Sequence, residues 1–591
     1  MAVKFRVQSH MTDPSYTDGW RGRRVRIENR MVARLTSRAK VKTRFLADPD
    51  PMIIGSVVRG HQLMAGSFHF AGHLVQAPGR SVWTILPPDD GFAAQLQGFD
   101  WLDDLAAVGD AEAQHMARSW TLDWITRFGA GSGPGWTPLL AGRRLLRWIN
   151  HGSMLVHEQL PEQVSGFLTS LGRQTQFVAR RSHAAPPGLP RVEALTALIV
   201  AGLALEGMQA HVAPAVEDLA AHVATEVAAD GSIASRNPET LLDMFALLAL
   251  AGQVLGQAGI FAGPAHLAAI ERMAPVLRGL RHVDGRLARF HGGGPGPEGR
   301  LDQALAASGV RTLPGLGPKM GFARLSSGRT SVIVDAAAPP RGSLTAHAST
   351  LAIEVSSARR PIIVNCGSGA EFGADWLRAG RETASHSTLV LAGQSSCRFA
   401  DGRGGEVLAA VPQSVKLQQA FGPSGHSLVA GHDGYGPAFG LTHVRRLNLS
   451  ADGRALVGED TLGANTDGDR KRFSRMLNRS KSNGLDFALR FHLHPDVAAQ
   501  ENPANGMIVL TLGSGEVWHF RQHGGAVLSL EESVYLDRLR LQPRPSKQVV
   551  LAGKVIDYAS QVSWTLAKAR ETPQGLRDLE PAGEPGQEGT G

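Results

Sequence analysis

The chain has 591 residues, of which 43% are hydrophobic and 19% charged, so it is longer than one hydrophobic core normally serves and two or more domains are expected. Its two cysteines, Cys366 and Cys397, exclude a disulfide scaffold and a cysteine-rich zinc module. The formal net charge is +8, which favours an anionic partner. The first residues predict no signal peptide, and no apolar run of membrane-spanning length is expected.

Much of the positive charge lies in residues 1–60, which we treat as a basic N-terminal segment. Between Arg21 and Arg44 there are ten Lys and Arg residues, and Glu28 is the one acid among them. The apolar positions of a rough helical stripe in this segment are Val25, Met31, Val32 and Leu35. The pattern predicts a basic helix that is solvated, in peripheral contact with an anionic membrane, or in contact with another subunit. Nucleic-acid binding would depend on charge alone, so no nucleic-acid partner is predicted.

Residues 61–300 predict a helical domain. Short extended pieces occupy residues 61–98, and apolar positions then recur at helical spacing in consecutive segments with short connections. The tryptophans of this part are Trp101, Trp120, Trp124, Trp136 and Trp148. Four of the five fall in predicted helices beside other inward-facing positions, which favours core packing over a sugar-stacking cleft for most of them.

A change of hydrophobic period marks the second half. The glycines and prolines of HGGGPGPEGR, residues 291–300, end the helical run, and residues 301–316 are predicted to be a linker. Short β-rich segments with period two fill residues 317–570, with turn signals such as Asp452-Gly453. Strands without intervening helices indicate stacked antiparallel sheets. Residues 571–591, rich in Pro, Gly and Glu, are predicted to be disordered.

Three segments of the second half, GRTSVIVDA, AHASTLAIEVSSARRPIIVNCG and DWLRAGRETASHSTLVLAGQSS, resemble the C-terminal domain of the heparinase II/III-like polysaccharide lyases. In the first half HFAG, FDWLDDL and GRRLLRWINH resemble the N-terminal regions of the same family. The resemblance spans roughly residues 60–565. It implies an α+β multidomain protein, with an N-terminal incomplete α/α toroid followed by a C-terminal antiparallel β-sandwich.

The resemblance also implies β-elimination on an acidic, uronate-containing polysaccharide. That reaction needs a group that neutralises the uronate carboxylate, a base for the C5 proton and an acid for the leaving oxygen. The family residues are matched only in part. Gly-Asn-His of relatives corresponds to Gly188-Leu189-Pro190-Arg191, Tyr-His to Thr240-Leu241, the first His of His-x-His to Thr345 and the hairpin Asp to Asn365, whereas His347, Arg381 and His386 match.

Several residues are candidates to replace the missing groups. Asn150 and His151 follow the arginines of RRLLRWINH and suit a carboxylate, although capping of a helix C-terminus explains them as well. Tyr435, beside His426 and His432, is the tyrosine with the most polar neighbours in sequence. The predicted catalytic residues are His151, Asn150, Tyr435 and Arg381, and the predicted substrate-binding residues are Arg147, Arg191 and Arg236.

His347, Asn365 and His386 are predicted to converge, since family members carry parts of a metal or substrate site at these positions. The resemblance implies zinc there, but an amide is a poorer ligand than a carboxylate. A hydrogen-bonded network without metal is an equal alternative. His492 and His494, two apart on one strand face, are interpreted as a structural pair.

Two functions remain open at this point. The first is a polysaccharide lyase, which is an enzyme cleaving carbon–oxygen bonds of an acidic glycan. The alternative is a catalytically degenerate protein that binds glycan or acts as a cell-envelope scaffold, and the unmatched positions support it. The resemblance favours the periplasm or cell envelope, with the cytoplasm as the alternative because no signal peptide is predicted. The sequence specifies neither the polysaccharide nor the oligomeric state.

Overall fold

The structure is a computed structural model that describes residues 19–46, 55–402, 405–480 and 484–571. Most of the predicted C-terminal tail and part of the basic N-terminal segment lie outside these ranges. The chain divides into two compact units. Unit 1 contains residues 1–233, 240–275 and 297–313, and unit 2 contains residues 234–239, 276–296 and 314–591.

Helices dominate the first half, as predicted. They are α1 (Trp20–Ser37), α2 (Val57–Met64), α3 (Asp90–Gly98), α4 (Asp100–Val108), α5 (Ala111–Phe128), α6 (Pro138–Asn150), α7 (Gly152–Val156), α8 (Pro161–Arg181), α9 (Leu189–Ala204), α10 (Val212–Glu226), α11 (Pro238–Gln257), α12 (Pro264–Gly279) and α13 (Arg300–Ser308). Three more helices follow: α14 (Ala374–Arg381), α15 (Gly436–Phe439) and α16 (Asp467–Ser480). The helix α13 occupies much of the predicted linker at residues 301–316.

A short hairpin, β1 (Ser67–Phe70) and β2 (His73–Gln76), precedes the third helix. The other strands are β3 (Phe322–Ser327), β4 (Thr330–Asp335), β5 (Ile353–Ser357), β6 (Arg360–Val364), β7 (Leu389–Leu391), β8 (Arg398–Gly402), β9 (Gly405–Ala410), β10 (Val415–Gly422), β11 (Gly425–His432), β12 (Thr442–Ser450), β13 (Ala455–Gly463), β14 (Leu485–Leu493), β15 (Ala498–Asn502), β16 (Met507–Thr511), β17 (Val517–His523), β18 (Val527–Tyr535), β19 (Arg544–Val555) and β20 (Ala559–Arg570).

The helical unit has an aromatic core. All five tryptophans considered above as sugar-stacking candidates are buried, which confirms the core interpretation. In α6, Thr137 caps the first turn by accepting a hydrogen bond from the Leu140 amide at 3.2 Å, and Pro138 occupies the first turn, where its missing N–H costs nothing. The helix then buries Trp148, whose ring lies 5.5 Å from that of Trp124. Packing therefore orients the polar end of α6.

Two antiparallel sheets form the second unit. One has the order β10-β11-β12-β13-β20-β17-β16-β15, and the other has the order β18-β19-β14-β6-β5-β4-β3 with β7 paired to β14. Side chains of both sheets share one apolar core, in which Phe491 of β14 lies 4.7 Å from Trp564 of β20 between ring centroids. Gly458 of β13 is required there, because a Cβ atom would lie 2.1 Å from the Trp564 ring. This sandwich agrees with the predicted fold class.

The predicted turn at Asp452-Gly453 joins β12 to β13, and Gly453 adopts a φ of 70°. By length and composition α11 qualifies as a membrane-spanning helix, contrary to the expectation that no run would reach that length. Half of its apolar window is buried in the fold, as in the core helix of a globular domain.

Candidate functional site

Two imidazoles meet in unit 2. His347 lies in the loop between β4 and β5, and His386 lies just before β7. His386 Nδ1 is 2.8 Å from the Glu382 carbonyl oxygen, so Nδ1 carries the proton and donates it. His386 Nε2 then accepts a hydrogen bond from His347 Nδ1 at 3.0 Å. Burial lowers the pKa of His386 to about 4 and that of His347 well below its ordinary value, so both rings are neutral.

A buried acid and a third imidazole support this pair. The His347 amide donates to His291 Nδ1 at 3.2 Å, and His291 Nε2 lies 3.3 Å from Asp335 Oδ2. Asp335 also accepts hydrogen bonds from Arg236 at 2.6 Å and from Ser349 at 2.7 Å. Burial alone would raise the pKa of Asp335, but Arg236 and His291 hold it below its usual range. The loop that carries His347 is therefore fixed by an ionised carboxylate.

Asn365 lies beside the same pair, since its Oδ1 accepts a hydrogen bond at 3.0 Å from the amide of Ser387, the residue after His386. Among the described residues, Asn365 Nδ2 and His347 Nε2 are buried without a hydrogen-bond partner. The described ranges contain no group of three or more His, Cys, Asp or Glu residues that could hold a metal. Two imidazoles that bond each other and an engaged amide do not fit a zinc ion. The convergence of the three residues is observed, whereas zinc binding stays a prediction.

The Arg381 side chain is buried and bound to the backbone. It is 2% exposed and donates to three carbonyl oxygens, those of Ala346 at 3.1 Å, Glu406 at 2.7 Å and Ser343 at 3.0 Å. These bonds tie the loop before His347 to β9. The side chain therefore positions that loop, and the structure does not present it to a substrate as the catalytic assignment requires.

The substrate-binding assignment of Arg236 needs correction for a similar reason. Its five N–H groups, the full donor capacity of a guanidinium, are used within unit 2. They donate to the carbonyl oxygens of Met320, Ala337, Ala338 and Gly321 and to Asp335 Oδ1, over 2.6–3.1 Å. No donor is left for a glycan carboxylate. This arginine instead joins residues 234–239 to the other segments of unit 2.

The Asn150 and His151 side chains lie at the end of α6 in unit 1, both buried. His151 Nε2 is 2.8 Å from Asp103 Oδ1 and 3.2 Å from Asn150 Nδ2. Arg147 contacts Asp103 Oδ2 at 2.8 Å and Asp100 Oδ1 at 2.7 Å. Each basic group therefore has an internal acidic partner. This network accounts for Asn150, His151 and Arg147 without a bound uronate. It also differs from the helix-capping alternative, because the His151 imidazole contacts the Asp103 carboxylate.

Two further predicted residues also have internal partners. Arg191 Nη2 donates to the carbonyl oxygens of His183 at 2.9 Å and Ala185 at 2.7 Å, which holds the turn before α9. Tyr435 is 1% exposed in the sandwich core, and its hydroxyl donates to the Leu389 carbonyl oxygen at 2.7 Å. Burial raises the pKa of this phenol. A group so enclosed cannot reach a polysaccharide, so the proton-transfer assignment of Tyr435 needs correction.

The structure assembles a polar cluster that the sequence reasoning missed. Arg289 donates to Tyr535 Oη and, at 3.0 Å, to Glu354 Oε1, while His282 Nε2 lies 3.1 Å from Glu354 Oε2. The ring of His494 is 5.0 Å from that of Tyr535. Tyr535 is one of only four tyrosines, which was the available signal. The enclosed space beside the cluster is about 20 Å³, room for one water molecule rather than a sugar.

Of the predicted structural pair His492 and His494, His492 is held by partners inside the fold. His492 lies 2.8 Å from Ser533 Oγ through Nδ1 and 2.9 Å from the Ala384 carbonyl oxygen through Nε2. Burial lowers the pKa of both imidazoles to about 3. Both nitrogens of His492 are therefore used by the fold.

Comparison with known proteins identifies the domain in the second half of the chain. Residues 310–565 match the family described as "Heparinase II/III-like, C-terminal". A curated relative, "FtsZ-localized protein C" of Caulobacter vibrioides (strain NA1000 / CB15N), is 29% identical over 540 residues, which cover 88% of this chain and 89% of the relative.

Solved structures share the fold over most of the chain. A crystal structure of heparinase III has a TM-score of 0.64 at 14% identity, covering 90% of this chain and 88% of that chain. A mutant of the heparan sulfate lyase HepC from Pedobacter heparinus has a TM-score of 0.55 at 15% identity, covering 94% and 89%. Residues 310–565 therefore carry the heparinase II/III-like C-terminal domain, and the chain shares the toroid-plus-sandwich fold of heparinase III.

Proposed function

We propose that this protein is a catalytically degenerate member of its family that acts as a scaffold in an FtsZ-containing assembly. One observation carries the loss of catalysis: the side chains at the predicted site positions are buried or half-buried and bind partners inside the fold. Arg236, Arg381 and Tyr435 are engaged in this way. A lyase must instead present a carboxylate neutraliser and a proton-transfer group to its substrate.

The partner is proposed from the curated relative. The likeness to "FtsZ-localized protein C" covers both chains almost completely, whereas the lyase structures are 14–15% identical and support the fold alone. β-Elimination of an acidic glycan, the activity that the family resemblance implies, is the competing function.

A membrane contact is also proposed, on a separate observation. The helix α1 turns Trp20, Ile27, Met31 and Leu35 outward, each more than half exposed. The inner face of α1 packs on α8, where Arg181 donates to Asn29 Oδ1 at 2.8 Å. Exposed arginines flank the apolar stripe on α1, namely Arg23, Arg24, Arg30 and Arg34. Such a face suits the surface of an anionic membrane.

Ultraviolet absorbance separates the scaffold from the lyase. Elimination creates an unsaturated uronate that absorbs in the ultraviolet, so we expect no absorbance gain with heparin, heparan sulfate, chondroitin, alginate or bacterial exopolysaccharides. A heparinase assayed on heparin is the positive control. An absorbance gain with any of these polymers would refute catalytic degeneracy.

Co-sedimentation tests the partner. Purified full-length protein is expected to pellet with FtsZ polymers of its source organism in the presence of GTP. It is expected to stay in the supernatant without FtsZ. Equal amounts in both pellets would refute the FtsZ association, whatever the absorbance assay gives.

A further inference from the structure

The helix α16 lies between β13 and β14 of unit 2, and it has an apolar inner face and a charged outer face. Thr466 and Asp469 cap its first turn reciprocally, with the Asp469 amide donating to Thr466 Oγ1 at 3.1 Å and the Thr466 amide donating to Asp469 Oδ2 at 3.2 Å. Phe473 is 1% exposed in the sandwich core, with Met476 and Leu477 packed against the same core. The inner face therefore holds the helix firmly on the sandwich.

The outer face of α16 borders an open groove of about 480 Å³. Its lining residues are Asp467, Arg470, Lys471, Ser474, Arg475 and Tyr558. Tyr558 belongs to the turn between β19 and β20, and its hydroxyl lies 3.1 Å from Ser474 Oγ. The ring packs edge-on against Phe473 at 6.1 Å between centroids and remains 43% exposed. One wall of the groove is thus a fixed aromatic side chain.

The groove carries a net positive charge of its own. Asp467 is the one acid among the lining residues, and it lies 3.7 Å from Arg470. Lys471 and Arg475 have no carboxylate partner within the described parts of the chain. Arg475 Nε donates to the Lys471 carbonyl oxygen at 3.2 Å, which orients its guanidinium along the helix. These two charges are available to an external anion, unlike the paired arginines at the predicted catalytic positions.

Exposed apolar surface lies at the same turn as Tyr558. Ile556, two residues earlier, is 69% exposed. The turn therefore presents both an aromatic and an aliphatic side chain to solvent. Acidic peptide motifs that also carry an apolar residue match the groove, because arginine and lysine bind carboxylates while the exposed ring of Tyr558 covers an apolar side chain.

We propose that the groove between α16 and the β19–β20 turn docks an acidic peptide segment of a partner protein, with at least one large apolar side chain against Tyr558. This site lies wholly in unit 2 and does not depend on the scaffold function or on FtsZ. Charge attraction makes the affinity fall with rising salt.

Fluorescence anisotropy of a labelled peptide of alternating Glu and Leu tests the proposal on the full-length protein. We expect saturable binding that weakens with salt. The double variant Lys471→Glu/Arg475→Glu is expected to weaken binding at least tenfold, about 1.4 kcal/mol. Tyr558→Ala is expected to weaken it severalfold. The double variant Arg80→Glu/Arg311→Glu, with the same charge change at two exposed positions of unit 1, is expected to bind like the wild type.

Four outcomes would overturn the proposal. They are absence of peptide binding, equal losses in the two double variants, equal binding of a Glu and Ser peptide, and binding of a heparin oligosaccharide but not the peptide at this groove. The last result would make the groove a glycan site. Melting temperatures of all variants identify unfolding, and Tyr558→Ala, which keeps every charge, provides an independent measurement if a charge variant does not fold.

Discussion

At the scale of single residues, Asn365 is one of the positions that distinguish this protein from the metal site that the family resemblance implies. Asn365 lies beside the hydrogen-bonded imidazoles of His347 and His386. A carboxylate binds zinc better than an amide oxygen does. A bound zinc ion must displace the proton that lies between the two imidazole rings, so a stronger ligand favours binding. We expect Asn365→Asp to retain zinc through dialysis and to lose thermal stability when a chelator is added, whereas the wild type shows neither effect. Elemental analysis and melting curves measure the two results.

The matched control is Asn448→Asp, which makes the same change at an exposed position of β12. It is expected to bind no more zinc than the wild type. Zinc that copurifies with the wild type in stoichiometric amount would contradict this expectation and would restore the metal site that the family resemblance implies.

At the scale of elements, α1 shows how an exposed face differs from a buried one. Its inner residues Gly22, Ala33 and Thr36 are small and buried within unit 1. The large apolar side chains of α1 point outward. Burying an Ile or Met side chain contributes about 1.5–3 kcal/mol. Ile27→Asp/Met31→Asp is therefore expected to reduce binding to phosphatidylglycerol vesicles at least tenfold in a flotation assay, without lowering the melting temperature.

Leu86→Asp/Leu313→Asp is the control for this pair, because both leucines are exposed in unit 1 away from α1. Its vesicle binding is expected to equal that of the wild type. Equal binding by the α1 variant, or equal binding of the wild type to uncharged phosphatidylcholine vesicles, would refute an electrostatic and apolar contact through α1.

At the scale of the whole molecule, the chain enters unit 2 three times. Residues 234–239 and 276–296 belong to it although they precede the predicted linker, since Arg236 and His291 contact Asp335 and Arg289 contacts Glu354. Brief trypsin treatment is expected to cut at exposed Arg311 and to leave two fragments that coelute in gel filtration, because unit 2 contains parts of both. Their separation is expected only in denaturant.

Mass spectrometry of the eluted fragments locates the cut, and intact protein incubated without trypsin provides the reference elution volume. Fragments that separate without denaturant would contradict the composition of unit 2. Such a result would favour the simpler division at residues 301–316 that the sequence predicts.

The sequence by itself determined the fold class. Apolar residues recur with a period near 3.6 before residue 300 and near two after residue 316. The period shows which face of each helix or strand is buried, and this is a local property that the spacing of residues records. The same spacing identified the tryptophan core, the Asp-Gly pair identified the turn at Asp452-Gly453, and the family resemblance predicted the convergence of His347 with His386.

Only the tertiary structure decided which polar groups are free. Arg236, Arg381 and Tyr435 are suited to chemistry by residue type, but their donors are used by carbonyl and carboxylate groups distant in sequence. The cluster of Arg289, Tyr535 and Glu354 joins positions up to 246 residues apart. Hydrogen-bond partners depend on which strands and loops come together, and spacing along the chain carries little information about those long-range contacts.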